Sequence, residues 1–186
     1  MRRRSDGTGA LALDGLDRVD LAAAYLHAAF ALLDGAGGVI LDLRRNGGGD
    51  AGTVALVLEW LLDGEPAHIS DVIYRDRTRQ WWTTGRLGER AVPPDTPVAA
   101  LIGPDTFSSA GALAYHLQSR GRGRLVGART PGAADHVTPV AVSRHTCARS
   151  CPRRGCATRS RARTGKAPAS CRTSRAARRT PWTRRP

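Results

Sequence analysis

The chain has 186 residues, a formal net charge of +13 and four cysteines, enough length for one domain with a sizeable core. The charge points at first to a nucleic-acid or anionic-surface binder. Yet 14 of the 29 basic residues and no acidic ones fall in Arg144–Pro186, so residues 1–143 hold 15 basic against 16 acidic residues; that excludes a basic body built for specific nucleic-acid binding, and no apolar run is long enough to span a membrane.

Met1–Arg4 followed by apolar residues has the outline of a secretion signal, but Asp6, Asp14, Asp17 and Asp20 interrupt it. The body has no cysteine, which fits a reducing compartment, so a cytoplasmic location is expected. Little structure is expected ahead of Leu21–Leu33, which reads as a buried helix. Gly38–Arg44, GVILDLR, is a short β-branched run typical of a buried strand. It ends in RNGGGD, and Gly52–Leu62 then reads as a helix that is apolar nearly all round. The alternating stretch HISDVIYRDRTRQWWTTG predicts a strand or hairpin, and the Pro-rich AVPPDTP a linker. Val98–Ile102 is a second buried strand. It leads through GPDTFSS into a helix over Ala110–Gln118, and Arg124–Ala128 reads as another strand. Strand, polar turn and buried helix, given twice, imply an α/β domain with a mainly parallel sheet and helices packed on it.

The first turn, Gly47–Gly52, satisfies G-x-G-x-x-G between a strand and a helix, and Asp71 lies about where a dinucleotide site places its ribose-binding acid. Two other readings stand beside a dinucleotide site. One is a tight turn that needs glycine's φ > 0, with Asp50 or Thr53 capping the helix. The other is an oxyanion hole, in which the N–H of Gly48 or Gly49 faces developing negative charge. In the second turn, Ser108 and Ser109 are either helix caps or a nucleophile with its neighbour. A serine at a helix N-terminus lies among unpaired N–H groups, where acyl transfer develops negative charge. Trp81 and Trp82 point to opposite faces of a strand; they either line a substrate or apolar-ligand groove or, as expected here, one packs inward and the other covers a neighbouring loop.

Together GVILDLRRNGGGDAG and VAALIGPDTFSSAGALAYHLQSRGRGRLVGARTPGAA resemble the tail-specific (C-terminal processing) serine peptidases and their tricorn and interphotoreceptor retinoid-binding-protein relatives. The first stretch resembles that family's strand-DLR-x-N-x-GG turn. The second resembles its T-x-S-A-x-E nucleophile turn and the V-G-E-x-T-x-G strand beyond, and the two cover roughly residues 30–142. The resemblance implies a crotonase/ClpP-like core of repeated strand-turn-helix units over residues 1–143, without the family's N-terminal helical portion. It also implies a polypeptide substrate, no cofactor and no metal, and leaves a homo-oligomer open. Ser108 would be the nucleophile, with the N–H groups of Gly48 or Gly49 and of Ser109 forming the oxyanion hole; Asp42 and Arg44 would be structural. An apolar-ligand or peptide-binding domain of the interphotoreceptor type, without catalysis, is the rival from the binding class, and a truncated, inactive gene product is the third reading.

A nucleophilic serine needs a base. In the processing branch this is a lysine about 25 residues after the serine, where this chain has Ala133, and its only lysine is Lys166. Gly111 and Ala128 also stand where the family usually has Glu. The candidate bases are His27, His116 and His136, with His68 a further possibility; His116 is eight residues along the helix from Ser108, about 12 Å.

Arg144–Pro186 has no Ile, Leu, Val, Met, Phe or Tyr and is expected to be a disordered basic tail. Its cysteines, Cys147, Cys151, Cys156 and Cys171, form no C-x-x-C pair, so a zinc site is not expected. The Thr164–Ser174 stretch TGKAPASCRTS can be encoded by bases that, read one position earlier, give NWEGTGVVPDV, the segment the resembled family carries next. Residues from about Arg144 onward therefore read as a shifted frame of a GC-rich gene.

Overall fold

The computed structural model describes residues 1–62, 64–135, 137–141 and 148–152. Its centre is a five-stranded sheet, in the order β1 (Arg2–Arg3), β2 (Thr8–Ala12), β3 (Gly38–Asp42), β6 (Val98–Ile102) and β7 (Arg124–Gly127). β2, β3, β6 and β7 run parallel, and β1 pairs antiparallel with β2 at the edge. The connections carry α1 (Val19–Ala31), α2 (Ala51–Leu61) and α3 (Ser109–Ser119). β4 (His68–Ile73) and β5 (Thr78–Trp82) form a separate hairpin between α2 and β6. The repeated strand-turn-helix units read from the sequence are β3–α2 and β6–α3.

Two regions differ from the sequence reading. β1 and β2 lie ahead of the first helix, where little structure was expected. Thr8–Ala12 is short and mostly Gly and Ala, so its β-propensity is weak; pairing with β3 over its whole length makes it a strand. α1 is also not buried all round. Ala22, Leu26 and Phe30, spaced four apart, face the core, while Leu21, Tyr25 and Leu32 are exposed.

The core lies on one face of the sheet. Leu11, Leu41 and Ala100 are register partners and are buried; their neighbours along each strand are less so. Leu26 and Phe30 of α1, Val57, Leu58 and Leu61 of α2, and Leu113 and Leu117 of α3 complete this layer. Phe30 stacks on Trp60 with ring centroids 5.1 Å apart and an interplanar angle of 6°, a contact worth about 1 kcal/mol beyond the area it buries. α2 is apolar nearly all round, as read, apart from Glu59, a buried carboxyl group that accepts from the Thr84 and Arg86 amides and the Thr84 hydroxyl.

Past Ser143 the described backbone continues as β9 (Ala148–Pro152), paired with β8 (Val137–Ala141) in a two-stranded ribbon. Backbone pairing needs no aliphatic side chains, so this ribbon does not require the core that the composition denies to residues 144–186. His136, Lys166, Cys147, Cys156, Cys171 and the NWEG-encoding stretch lie outside the described residues. Among the described residues, no helix is long and apolar enough to cross a membrane, and no group of His, Cys, Asp or Glu is arranged to hold a metal.

Candidate active site

β3 and β6 are hydrogen-bonded neighbours, so the turns at their C-terminal ends lie side by side, where open parallel sheets place their ligands. Asn46, fully buried, ties three segments together. Its side-chain amide donates to the Leu13 carbonyl at 2.9 Å, its Oδ1 accepts from the Gly48 N–H at 2.9 Å, and its carbonyl accepts from the Phe107 N–H at 3.0 Å. Thr106, also fully buried, donates its hydroxyl to the Leu43 carbonyl at 2.7 Å and accepts from the Gly103 N–H at 2.9 Å. The second turn is thereby stapled to the end of β3. Sequence reading noted both residues only as motif letters; burial of a lone amide and a lone hydroxyl in two facing turns gives them their role.

The approach of the two turns demands glycine. A Cβ at Gly48 would lie 2.8 Å from the Ser108 Cβ, 2.9 Å from the Phe107 carbonyl and 3.0 Å from the Ser109 nitrogen. Gly48 and Gly49 have φ of 98° and 140°, conformations that side chains oppose. Leu16 holds this bend from outside: its N–H donates to the Gly48 carbonyl at 3.0 Å, and its carbonyl accepts from the Asp50 N–H at 2.8 Å.

Ser108 is the only non-glycine residue with positive φ among the described residues, at φ 51° and ψ −124°. It occupies the N-cap of α3, yet its side chain caps no amide there. The Ser109 hydroxyl does not cap its own helix either: it donates to the Gly49 carbonyl across the gap at 2.7 Å. Backbone strain at a sharp strand-to-helix turn is the geometry that exposes a nucleophilic hydroxyl.

The proposed oxyanion donors separate. Gly48's N–H is engaged by Asn46, which removes it from the set offered by the sequence. Among the described residues, neither the Gly49 nor the Ser109 N–H has an acceptor. For a dinucleotide the same turn is poor. Asp50 caps α2 with its carboxylate, accepting from the Thr53 N–H at 3.0 Å, so negative charge already occupies the place a pyrophosphate would take. Asp71 lies in the β4–β5 hairpin, paired with His68 at 2.8 Å.

A pocket of about 90 Å³ opens beside Ser108. Val54, Ile69, Val72, Trp81 and Ala112 form its apolar walls, and Ser70, His116 and Asp135 its polar positions. Ser108, Ala112 and His116 fall on one stripe of α3, and the small Ala112 keeps the space between the other two open. His116 is buried, and desolvation, with smaller electrostatic contributions from Arg120 and His68, pushes its imidazole down to about 4; at neutral pH it is uncharged. His27 instead accepts from the Trp60 indole N–H at 3.2 Å and packs against that ring, a structural contact between α1 and α2. Trp81 turns into the pocket, while Trp82 stays half exposed with its ring edge-on to His68. Asp42 and Arg44 form a two-point ion pair, at 2.7 and 2.9 Å, and that bond holds the Asp42 carboxyl below its ordinary range. Ser70 and Asp135 were not anticipated; they reach the pocket from a hairpin and a loop whose placement no local pattern reveals.

The model described as peptidase family S41 matches residues 8–151. Solved structures share the fold. The photosystem II D1 C-terminal processing protease is 28% identical with a TM-score of 0.59, over 72% of this chain and 33% of that one. A lipoprotein from Streptococcus agalactiae is 16% identical with a TM-score of 0.59, over 75% and 52%. The tricorn protease is 22% identical with a TM-score of 0.50, over 73% and 12%. This chain thus spans a third of the processing protease and about half of the lipoprotein. No curated protein matches it. The chain belongs to peptidase family S41.

Proposed function

We propose that this member of peptidase family S41 is built for serine-type cleavage of polypeptides, with Ser108 attacking the substrate carbonyl and the N–H groups of Gly49 and Ser109 receiving the oxyanion. The observation that carries this reading is the strained backbone of Ser108, held directly against the glycine bend. A capping serine needs neither the strain nor the contact. The free amides at the start of α3 and in the glycine bend supply fixed dipoles where the tetrahedral intermediate gathers charge, an arrangement worth orders of magnitude in rate. The apolar pocket beside Ser108 suits an aliphatic substrate side chain. His116, uncharged at neutral pH, is the histidine that lines that pocket with Ser108, and this reading assigns it the role of base.

Incubation of the full chain with a fluorophosphonate probe tests the reading. Covalent labelling is expected, and its loss in Ser108→Ala assigns it to this hydroxyl. An unlabelled wild-type chain that still takes up an apolar peptide would make the protein a binding domain instead.

A further inference from the structure

The chain departs from the resembled turn pattern at the residue after Ser108, which is Ser109 where the pattern has alanine. The unspecified position between Asn46 and the glycine pair is itself a glycine, Gly47. Three consecutive glycines leave the bend with more backbone freedom than any other tripeptide. The structure shows what limits it. The peptide unit between Gly48 and Gly49 is held by the Leu16 N–H on the Gly48 carbonyl. The next unit, between Gly49 and Asp50, is held at its nitrogen by the Leu16 carbonyl and at its oxygen by the Ser109 hydroxyl. Both peptide planes flanking Gly49 are thereby fixed, and with them the direction of its N–H.

We propose that Ser109 is a positioning residue: its hydroxyl clamps the Gly49 carbonyl and aims the Gly49 N–H at the oxyanion, offsetting the freedom that Gly47 adds. The inference rests on Ser108 as the nucleophile. Its signature is a coupling between two residues that do not react. A Cβ at Gly47 meets nothing within 4 Å, and Gly47 has no positive φ, so alanine fits there and stiffens the bend from within the chain.

The experiment measures the rate of Ser108 labelling by a fluorophosphonate in the full-length wild type, S109A, S109T, G47A and the double variant G47A/S109A. Thermal melting and the pH dependence of labelling are recorded alongside. S109A is expected to label about tenfold more slowly, since a misaimed donor costs less than a deleted one, with an unchanged pH profile. S109T keeps the hydroxyl and is expected near wild type. G47A/S109A is expected to recover about two- to fivefold over S109A, the factor that a Gly→Ala change in chain freedom corresponds to. Wild-type labelling with an unaffected S109A, or a double variant no faster than S109A, overturns the clamp and leaves the nucleophile standing. A wild-type chain that does not label overturns both. Should S109A fail to fold, S109C, whose thiol is a weak donor, takes its place with the same expected ordering.

Discussion

Ser108 holds a backbone conformation that costs stability and that the proposed chemistry would use. A serine at φ 51° and ψ −124° costs of order 1–3 kcal/mol relative to a relaxed backbone, and nothing about helix capping calls for it. Replacing it with alanine removes the hydroxyl and keeps the strain, whereas glycine removes both. Ser108→Gly is therefore expected to be more stable than Ser108→Ala by about 1 kcal/mol, read as a higher urea midpoint, with both unlabelled by a fluorophosphonate. Equal midpoints would mean that the backbone at 108 relaxes. His116 gives a second residue-scale test. Its imidazole is pushed from 6.5 down to about 4 in the folded chain, so between those values the unfolded chain binds the proton and the folded one does not. Stability then rises as pH increases from about 4 to 6.5 and is level above, a window worth about 3 kcal/mol. His116→Gln should flatten that limb in urea titrations at pH 4, 5, 6 and 7; an unchanged slope would assign the acid sensitivity elsewhere. The turn that holds Ser108 was legible because two short motifs, the second containing it, follow one another in order. The state of His116 was not, because it is set by Arg120, His68 and the packing around it.

At the scale of elements, what was legible followed local pattern. Gly38–Asp42, Ala51–Leu61, Val98–Ile102 and Arg124–Gly127 fall where β-branched runs or apolar helical stretches put them, and the hairpin lies in the alternating segment. Thr8–Ala12 was not legible, since the β3 edge supplies what its own residues lack. Nor was the mooring of the segment after the hairpin. Glu59 is a single acid in an apolar helix, and its partners lie 25 and 27 residues on. Its carboxylate oxygens accept from the Thr84 N–H at 3.0 Å, the Thr84 hydroxyl at 2.7 Å and the Arg86 N–H at 2.7 Å. Glutamine keeps the shape but presents an NH₂ where an acceptor is required. One buried donor is then left facing another, at a cost of about 1–3 kcal/mol. Glu59→Gln should lower the melting temperature by several degrees and expose the Thr84–Arg86 amides to faster hydrogen exchange. Faster exchange spread evenly over α2 instead would show that the carboxyl group stabilises the helix rather than the loop.

At the scale of the whole molecule, the sheet is covered unevenly. Parallel sheets are normally buried on both faces, yet the three helices here pack against the face of Leu11, Leu41 and Ala100. On the other face, Ala10, Ile40, Ala99 and Leu101 are only partly buried and Val126 is exposed. The asymmetry is expected to show in paired substitutions one residue apart on β6. Ala100→Lys places a charge in a site with no accessible surface and should abolish cooperative folding. Leu101→Lys lets the ammonium reach water past its own aliphatic stem and should cost under about 1 kcal/mol. This contrast also bears on the reading frame. A chain in which the proposed original frame is restored would carry NWEGTGVVPDV in place of Thr164–Ser174, and valines of that segment are what a half-covered sheet face can bury. In that restored product Leu101→Lys should become nearly as damaging as Ala100→Lys, and binding of an environment-sensitive hydrophobic dye should fall relative to the 186-residue chain. If Leu101→Lys costs the same in both products, the restored residues do not cover this face.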